Sequence, residues 1–182
     1  MNNVRLVSYT KGINIDDTLE DLVAYCARVS NPANQDNKDT SRKLLKYLIK
    51  HKHWSPFEMV NVVLEIETTR DIGRQILRHR SFSFQEFSQR YADPTQDLEF
   101  IMRDARLQDS KNRQNSLELD DKNKDHNWMI SEWENHQQKI INYSNAFYVW
   151  AVQHGIAKEQ ARAILPEGNT KSRLYVNGTI RS

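Results

Sequence analysis

The densest group of side chains capable of chemistry lies between residues 78 and 91. It opens with three consecutive cationic or titratable residues: Arg78, His79 and Arg80. A carboxylate, a hydroxyl and a guanidinium then follow at every second position: Glu86, Ser88 and Arg90. Residues two apart point to the same side of an extended chain, and arginine binds phosphate through paired N–H donors. This row suits a polar ligand with a phosphate and an amide-like edge, and the alternative is a solvated helix end whose cations complement the helix dipole.

Two neighbouring elements must position this group. Residues 70–77 carry apolar side chains at helical spacing, with Asp71 in the first turn, where a negative charge is favoured. Residues 59–68 alternate apolar and polar side chains, which predicts a half-buried strand. Residues 81–91 are predicted to be extended. The chemical group would therefore begin at a helix end and continue along an extended segment.

The remaining pattern is mainly helical. A first strand is predicted at 4–9, a helix after Asp16 or Asp17 as its cap, a second helix capped by Thr40 or Ser41, and a long helix at 127–154 that Gly155 stops. A strongly polar excursion occupies 103–127, and 158–164 is a short helical piece. We therefore predict one domain over 1–182 of the α+β class, with mixed helices and a small sheet.

The composition of the chain excludes several classes of protein. Hydrophobic residues make up 38% of the 182 residues, so the chain can bury a core. No apolar run approaches 18 residues, and the N-terminal residues lack the pattern of a signal peptide, so we predict no membrane span and a cytoplasmic location. Cys26 is the single cysteine and cannot form an internal disulfide. The net charge of +2 is too balanced to indicate nucleic-acid binding.

Four blocks resemble, in the same order, those of the flavin-dependent thymidylate synthases. The signature block is Arg78-His79-Arg80, seven intervening residues, and Ser88. The other blocks are Ala-Arg-Val-Ser at 27–30, His-Trp-Ser-Pro-Phe-Glu at 53–58 and Ala-Arg-Ala-Ile-Leu-Pro at 161–166. The resemblance spans about residues 30–181.

The resemblance implies an activity. It implies FAD-dependent methylation of dUMP to dTMP, with methylenetetrahydrofolate as the one-carbon donor and NADPH as the reductant of the flavin. It also implies the family's α+β fold and a homotetramer whose active sites lie at subunit interfaces. The cofactors would supply the redox and one-carbon chemistry, and the protein would supply position and charge.

The resemblance also assigns residues, by matching positions. The dUMP-binding residues implied are Gln75, Arg78, Glu86, Phe87, Ser88, Gln89, Arg90 and Arg162. The FAD- or folate-binding residues implied are Ser30, His53, Ser55, Arg78, His79, Arg80, Glu86, Asn177 and Arg181. The register of the 177–181 segment is stretched by about one residue relative to the family.

One part of the family pattern is missing from the chain. The family's uracil-activating arginine, and an asparagine on the flavin, would lie beyond Ser182, so no catalytic residue is assigned and the chain is expected to be C-terminally short. Arg181 matches a nearer family arginine and does not take that role. Three alternatives stay open: a fragment, a site completed by another polypeptide, or a family member that binds FAD and dUMP without turnover.

Two other function classes compete with this interpretation. A nucleic-acid-binding module could use the basic patches at 42–53 and 78–80, with neighbouring phenylalanines available for stacking. A metal hydrolase could use His51, His53 and His79, but histidines two apart on a helix diverge and no HExxH motif is present. We predict neither nucleic acid nor metal as a ligand.

Overall fold

A computed structural model gives the structure of the protein and describes residues 3–13, 17–97, 99–120 and 122–182. The helices within these residues are α1 (Leu19–Ala27), α2 (Ser41–Lys50), α3 (Arg70–Ile76), α4 (Pro94–Asp97), α5 (Lys124–Gln153) and α6 (Lys158–Ala161). The strands are β1 (Asn3–Tyr9), β2 (Asn61–Thr69), β3 (Ser83–Glu86), β4 (Arg106–Gln108), β5 (Ser116–Glu118) and β6 (Lys171–Thr179). Short 3-10 helices occupy Pro32–Asn34, Ser55–Met59 and Arg162–Ile164. The predicted α+β class is confirmed.

Four strands form one sheet in the order β1-β2-β6-β3. β1 and β2 are antiparallel, with Leu6 opposite Leu64 and a shift of register between Leu6 and Ser8. β3 and β6 are antiparallel, with Ser83 opposite Asn177. β4 and β5 form a separate antiparallel pair within the stretch predicted as a polar excursion. The polar sequence there therefore includes a two-stranded hairpin.

The contacts between residues divide the chain into two compact units. The first unit consists of Thr68–Gln75 and Phe87–Ser172. The second consists of the segment ending at Glu67, Ile76–Glu86 and Arg173–Ser182. Each unit is built from segments that are distant in sequence. The expectation that residues 1–182 form one domain stays a prediction.

Each unit has its own apolar cluster. In the second unit, α1 and α2 pack together with the 3-10 helix at 55–59, and the buried residues are Val23, Leu48, Phe57 and Val60. In the first unit, the end of α5 packs against α6 and the following turn, and the buried residues are Tyr148, Ala151, Ala161 and Leu165. These clusters fix the helices next to Ser30, His53, Ser55 and Arg162.

Helix ends follow the sequence signals with one correction. Thr18 caps α1 through a capping box: its hydroxyl accepts from the Asp21 backbone N–H, and the Asp21 carboxylate accepts from the Thr18 N–H. Asp17 was the wrong residue for this cap, and Asp16 lies outside the described residues. Thr40, one of the two residues predicted to cap α2, occupies the position before the helix, but its hydroxyl accepts from Arg28 Nη2 at 2.8 Å and makes no capping hydrogen bond. Gly155 adopts φ of 80°, a conformation that suits glycine after a helix, and confirms the predicted end of α5.

The predicted extended segment at 81–91 is only partly correct. β3 ends at Glu86, and the chain then turns, with the Tyr91 backbone N–H donating to the Ser88 carbonyl at 3.2 Å. The alternate-residue row of Glu86, Ser88 and Arg90 is therefore interrupted after its first member. Among the described residues, no helix has both the length and the hydropathy needed to cross a membrane.

Candidate active site

The residues predicted to bind flavin all belong to the second unit. β6 brings three of their segments together. Asn177 pairs with Ser83 on β3, the Ile180 backbone N–H donates to the Val60 carbonyl at 3.0 Å, and Arg181 forms an ion pair with Glu58. The segments 55–60, 79–83 and 177–181 therefore share one end of the sheet.

His79 has a defined orientation at this end. The Ser81 hydroxyl lies 3.0 Å from His79 Nδ1, and the Phe82 ring contacts the imidazole in a tilted arrangement with 4.4 Å between ring centroids. Phe82 in turn lies against Gly178, where an added Cβ would be 2.1 Å from Phe82 Cδ1. The glycine thus allows an aromatic side chain to support the central residue of the Arg-His-Arg motif.

The two arginines of the motif carry exposed charge. Arg78 and Arg80 follow the end of α3 and are exposed to solvent. Within the described residues, no carboxylate lies within the 4 Å ion-pair distance of either guanidinium. Two cations on either side of an oriented imidazole can hold an anionic group.

The remaining flavin candidates are more scattered within the second unit. His53 is exposed, and its ring lies 6.2 Å from the rings of both Tyr47 and His51. Ser30 lies in the turn after α1, and Ser55 begins the 3-10 helix that carries Glu58. Within the described residues, no hydrogen bond or ion pair connects Ser30 or His53 to the segments that β6 brings together.

The first unit contains a basic cavity of about 340 Å³. Its charged and polar lining residues are Arg70, Arg74, Gln89, Arg162 and Glu167. Two of them, Gln89 and Arg162, were assigned to dUMP from the sequence resemblance. The lining carries three guanidinium groups and one carboxylate, so its formal charge is positive.

Gln89 is the most buried polar residue of this cavity, at 2% exposure. Its side-chain Nε2 is buried and has no hydrogen-bond acceptor within the described residues. A buried amide N–H without an acceptor is costly. The cavity therefore presents a hydrogen-bond donor that a bound acceptor would satisfy.

Glu159 connects two more of the predicted nucleotide residues. Its carboxylate lies 3.2 Å from Arg90 Nε, and its backbone carbonyl accepts from Arg162 Nε at 3.2 Å. Ser88 lies in the turn before Arg90, with its hydroxyl 3.4 Å from the Arg90 backbone N. The structure thus brings together residues 88–90 and Arg162, which are more than 70 positions apart.

Three cavity residues were missed by the sequence analysis: Arg70, Arg74 and Glu167. Arg70 and Arg74 are four apart on α3, which places both side chains on one face of the helix, and this spacing could have identified them. Glu167 carried no such signal. Its carboxylate Oε1 lies 3.3 Å from Arg70 Nε and 4.0 Å from Arg74 Nε across 97 and 93 positions of sequence.

The other predicted nucleotide residues lie outside this lining. Gln75 is exposed on α3, Glu86 is half-buried at the end of β3, and Phe87 is half-buried in the segment that follows. A second cavity, of about 310 Å³, is lined by residues of α1 and of the 35–41 segment, and it contains none of the predicted site residues. The described residues include no group of three or more metal-ligating side chains.

Comparison with known proteins identifies the relatives of this sequence. The family described as thymidylate synthase complementing protein, Thy1, matches residues 5–182. A probable flavin-dependent thymidylate synthase of Paramecium bursaria Chlorella virus 1 is 49% identical over 183 residues, covering 98% of this chain and 80% of the relative. A flavin-dependent thymidylate synthase of Synechocystis sp. is 49% identical over 185 residues, covering 99% and 80%.

A solved structure shares the fold. It is a UMP/dUMP methylase, PolB, from Streptomyces cacaoi bound with 5-Br dUMP, with a TM-score of 0.74, 24% identity and coverage of 98% of this chain and 73% of that chain. Both the sequence matches and this fold extend over nearly the whole chain. The chain belongs to the Thy1 family of thymidylate synthase complementing proteins.

Proposed function

We propose that this protein methylates dUMP to dTMP, using FAD, methylenetetrahydrofolate and NADPH. The observation that carries the proposal is the 49% identity, over nearly the whole chain, to proteins named flavin-dependent thymidylate synthases. The signature of Arg78-His79-Arg80, seven residues and Ser88 lies within that matched region. Cys26 lies on the helix whose side chains pack against the apolar cluster of the second unit, so a flavin route that needs no protein thiolate suits this chain.

The flavin would be held by the second unit. Arg78, His79 and Arg80 would contact it, together with Ser30, His53, Ser55, Glu86, Asn177 and Arg181. The exposed guanidinium groups of Arg78 and Arg80 fit the pyrophosphate and the negative charge of a reduced flavin. FAD supplies the redox chemistry when bound. Phe82 and Ser81 would keep the His79 imidazole in one orientation toward it.

The nucleotide would be held largely by residues of the first unit. Gln89 and Arg162 line the basic cavity, and Arg90 is connected to Arg162 through Glu159. The phosphate of dUMP would supply the acceptor that Gln89 Nε2 lacks. Gln75, Arg78, Glu86, Phe87 and Ser88 would complete the contacts to the nucleotide. No residue of the chain is assigned to activate the uracil ring.

We further propose that the protein assembles as a homotetramer with active sites at subunit interfaces. α5 supports this assembly because it carries a stripe of large exposed side chains with alternating spacings of three and four: Ile140, Tyr143, Phe147 and Trp150. We call these four residues the α5 stripe. This is the heptad spacing along which two helices pack. The buried residues of α5 lie on a different face, so the stripe is available to a second copy.

Reconstitution of the full chain tests the proposed function. Protein incubated with FAD and freed of excess cofactor should retain bound flavin, and it should form dTMP only when dUMP, methylenetetrahydrofolate and NADPH are all present. Arg78→Ala should lower flavin retention. Arg90→Ala should raise the Kd for dUMP by about tenfold or more, because it removes a charged hydrogen bond.

Failure of flavin binding by the wild-type chain would contradict the proposal. The competing nucleic-acid module predicts a different result: binding to a polynucleotide that weakens steeply as salt rises. Flavin retention without dTMP formation would instead indicate a family member that binds its ligands without turnover.

A further inference from the structure

The basic cavity has an internal counter-ion. Glu167 is the only carboxylate among its described lining residues, and it lies 3.3 Å from Arg70 and 4.0 Å from Arg74. Arg70 is buried at 6% exposure, whereas Arg74 is about half exposed. The Glu167 side chain is itself about half exposed. This carboxylate can therefore move away from Arg74 into solvent without leaving the surface of the protein.

Arg74 and Gln89 both present donors to this space. Among the described residues, the only ion-pair contact of Arg74 is the one to Glu167, which at 4.0 Å is beyond hydrogen-bond distance, and Gln89 Nε2 has no acceptor. Arg162 also lines the cavity, and within the described residues no carboxylate lies within ion-pair distance of it. Three donor-bearing side chains that line one cavity, with one weakly held carboxylate, suit an oxyanion with several acceptor oxygens.

We infer that Arg74 is a further phosphate-binding residue and that Glu167 is a competing carboxylate which the phosphate of the nucleotide displaces. The inference rests on the proposed function and adds two residues to its nucleotide site. The phosphate oxygens replace Glu167 on Arg74 and accept from Gln89 Nε2. Glu167 remains near Arg70, so the buried charge of Arg70 keeps its carboxylate neighbour when the nucleotide binds.

Removing the charge of a competing carboxylate should strengthen dUMP binding, whereas removing the charge of an arginine that binds the phosphate should weaken it. In FAD-loaded protein, Arg74→Gln should raise the Kd for dUMP by about tenfold or more, since a charged hydrogen bond is lost. Glu167→Gln should lower that Kd by about threefold, because a negative charge no longer competes with the phosphate. Titration calorimetry measures both values. A Glu167 that merely supports the site would give weaker binding when it is neutralised.

Inorganic phosphate provides a second probe. It should raise the melting temperature of wild-type and Glu167→Gln protein more than that of Arg74→Gln. Arg106→Gln is the matched control, because it removes the same charge from an exposed ion pair with Glu118 outside the cavity. Its Kd for dUMP should stay within twofold of the wild-type value. Arg74→Lys should give an intermediate loss if Arg74→Gln does not fold.

Two results would overturn the inference: an Arg74→Gln protein that binds dUMP within twofold of wild type, or a Glu167→Gln protein that binds it more weakly. Either result, obtained with a wild-type protein that binds dUMP, leaves the proposed function intact. A wild-type protein that binds inorganic phosphate through Arg74 but does not bind dUMP would contradict the proposed function and identify a general anion site.

Discussion

The absence of a side chain at Gly178 determines how the neighbouring residues pack. Phe82 occupies the space where a Cβ would project, and Phe82 in turn supports the His79 ring. Because Phe82 contacts the backbone strand on one side and the imidazole on the other, displacement of its ring would free His79 to rotate. A side chain at residue 178 would therefore also disturb the Arg-His-Arg motif.

Gly178→Ala should lower the free energy of unfolding by about 1–3 kcal/mol, because the added methyl group overpacks the contact with Phe82. It should also weaken FAD binding. Urea denaturation and flavin fluorescence measure the two effects. Gly168→Ala is the control, because a Cβ at Gly168 meets no atom within 4 Å. The Gly178→Ala penalty should shrink in a Phe82→Ala background, and an undiminished penalty there would contradict the explanation.

Two tyrosine hydroxyls have opposite surroundings. The Tyr148 hydroxyl is buried and has no hydrogen-bond partner among the described residues, and burial together with Asp93 and Asp97 raises the pKa of Tyr148. The Tyr175 hydroxyl donates to Glu65 Oε2 at 2.7 Å. That hydrogen bond, followed by the one from Arg5, lowers the pKa of Glu65.

Tyr148→Phe should leave the free energy of unfolding unchanged or raise it by about 1 kcal/mol, because it removes a buried hydroxyl that lacks a partner. Urea denaturation at pH 7 provides the measurement. Loss of stability would mean that the hydroxyl has a partner, such as a buried water. Tyr175→Phe, which removes a hydroxyl with a partner, should lower stability in the same assay.

The Tyr175→Phe effect should also depend on pH. Glu65 has a lowered pKa in the folded protein, so its stabilising contribution is present above its unfolded pKa and is lost as pH falls through the folded value. The stability difference between wild type and Tyr175→Phe should therefore be larger at pH 7 than at pH 3. Urea denaturation at the two pH values measures it, and a difference independent of pH would exclude the Glu65 contact as its cause.

At the scale of elements, α5 is held by a polar anchor at its centre. Gln137 is buried at 3% exposure. Its Oε1 accepts from the Arg103 backbone N–H at 2.8 Å and from Asn169 Nδ2 at 2.9 Å, and its Nε2 donates to the Arg103 carbonyl at 2.9 Å. One side chain thereby fixes the helix to two segments that are more than 30 positions away on either side.

Gln137→Leu should lower the free energy of unfolding by about 2–4 kcal/mol, because three hydrogen bonds are lost and the Arg103 backbone N–H is left without its acceptor. Thermal and urea denaturation provide the measurement. Gln138→Leu is the control, since Gln138 is exposed and its side chain donates to Asn142 on the surface of the same helix, so the substitution should change stability by less than about 0.5 kcal/mol. Equal effects from the two variants would show that the anchor contributes nothing specific.

The same helix shows what the sequence could predict and what it could not. Its ends were predicted to within three residues, because periodicity and Gly155 are local signals. Apolar spacing alone does not separate its buried face from the α5 stripe, because Ile141 and Tyr148 are buried, whereas the adjacent Ile140 and Phe147 are more than half exposed. The spacing of hydrophobic residues indicates which side chains are apolar, but it does not indicate which other residues they pack against.

The strand β6 and the basic cavity show a second limit. The tail was not predicted as a strand, because small residues such as Ser172 and Gly178 occupy inward positions of its alternating pattern. The cavity joins Arg70 on α3 to Glu167, and no local pattern relates residues so far apart. The family resemblance supplied Gln89 and Arg162. The spacing of Arg70 and Arg74 could have placed both on one face of α3, whereas Glu167 has no local signal and only the folded structure brings it to the cavity.

At the scale of the whole molecule, the two sets of predicted ligand residues are distributed unequally. All residues assigned to flavin belong to the second unit. Most residues assigned to the nucleotide, including 87–90 and Arg162, belong to the first unit, whereas Arg78 and Glu86 belong to the second. Substitutions in the apolar cluster of the first unit should therefore weaken nucleotide binding more than flavin binding.

Phe147→Glu should disrupt the proposed assembly, because it places a charge in the middle of the α5 stripe. Light scattering after size-exclusion chromatography should give four chain masses for the wild type and a smaller assembly for the variant. Asn145→Glu is the control, since Asn145 is exposed on α5 outside the stripe. A wild-type protein that elutes as a monomer would contradict the tetramer.

The position of β6 in the sheet has a consequence for synthesis of the protein. β6 lies between β2 and β3, although both neighbours precede it by more than 80 residues. A chain emerging from the ribosome therefore exposes two unpaired strand edges until translation reaches residue 179. During that interval the nascent polypeptide is open to wrong pairing, and slowing translation upstream of residue 171 should increase its dependence on chaperones.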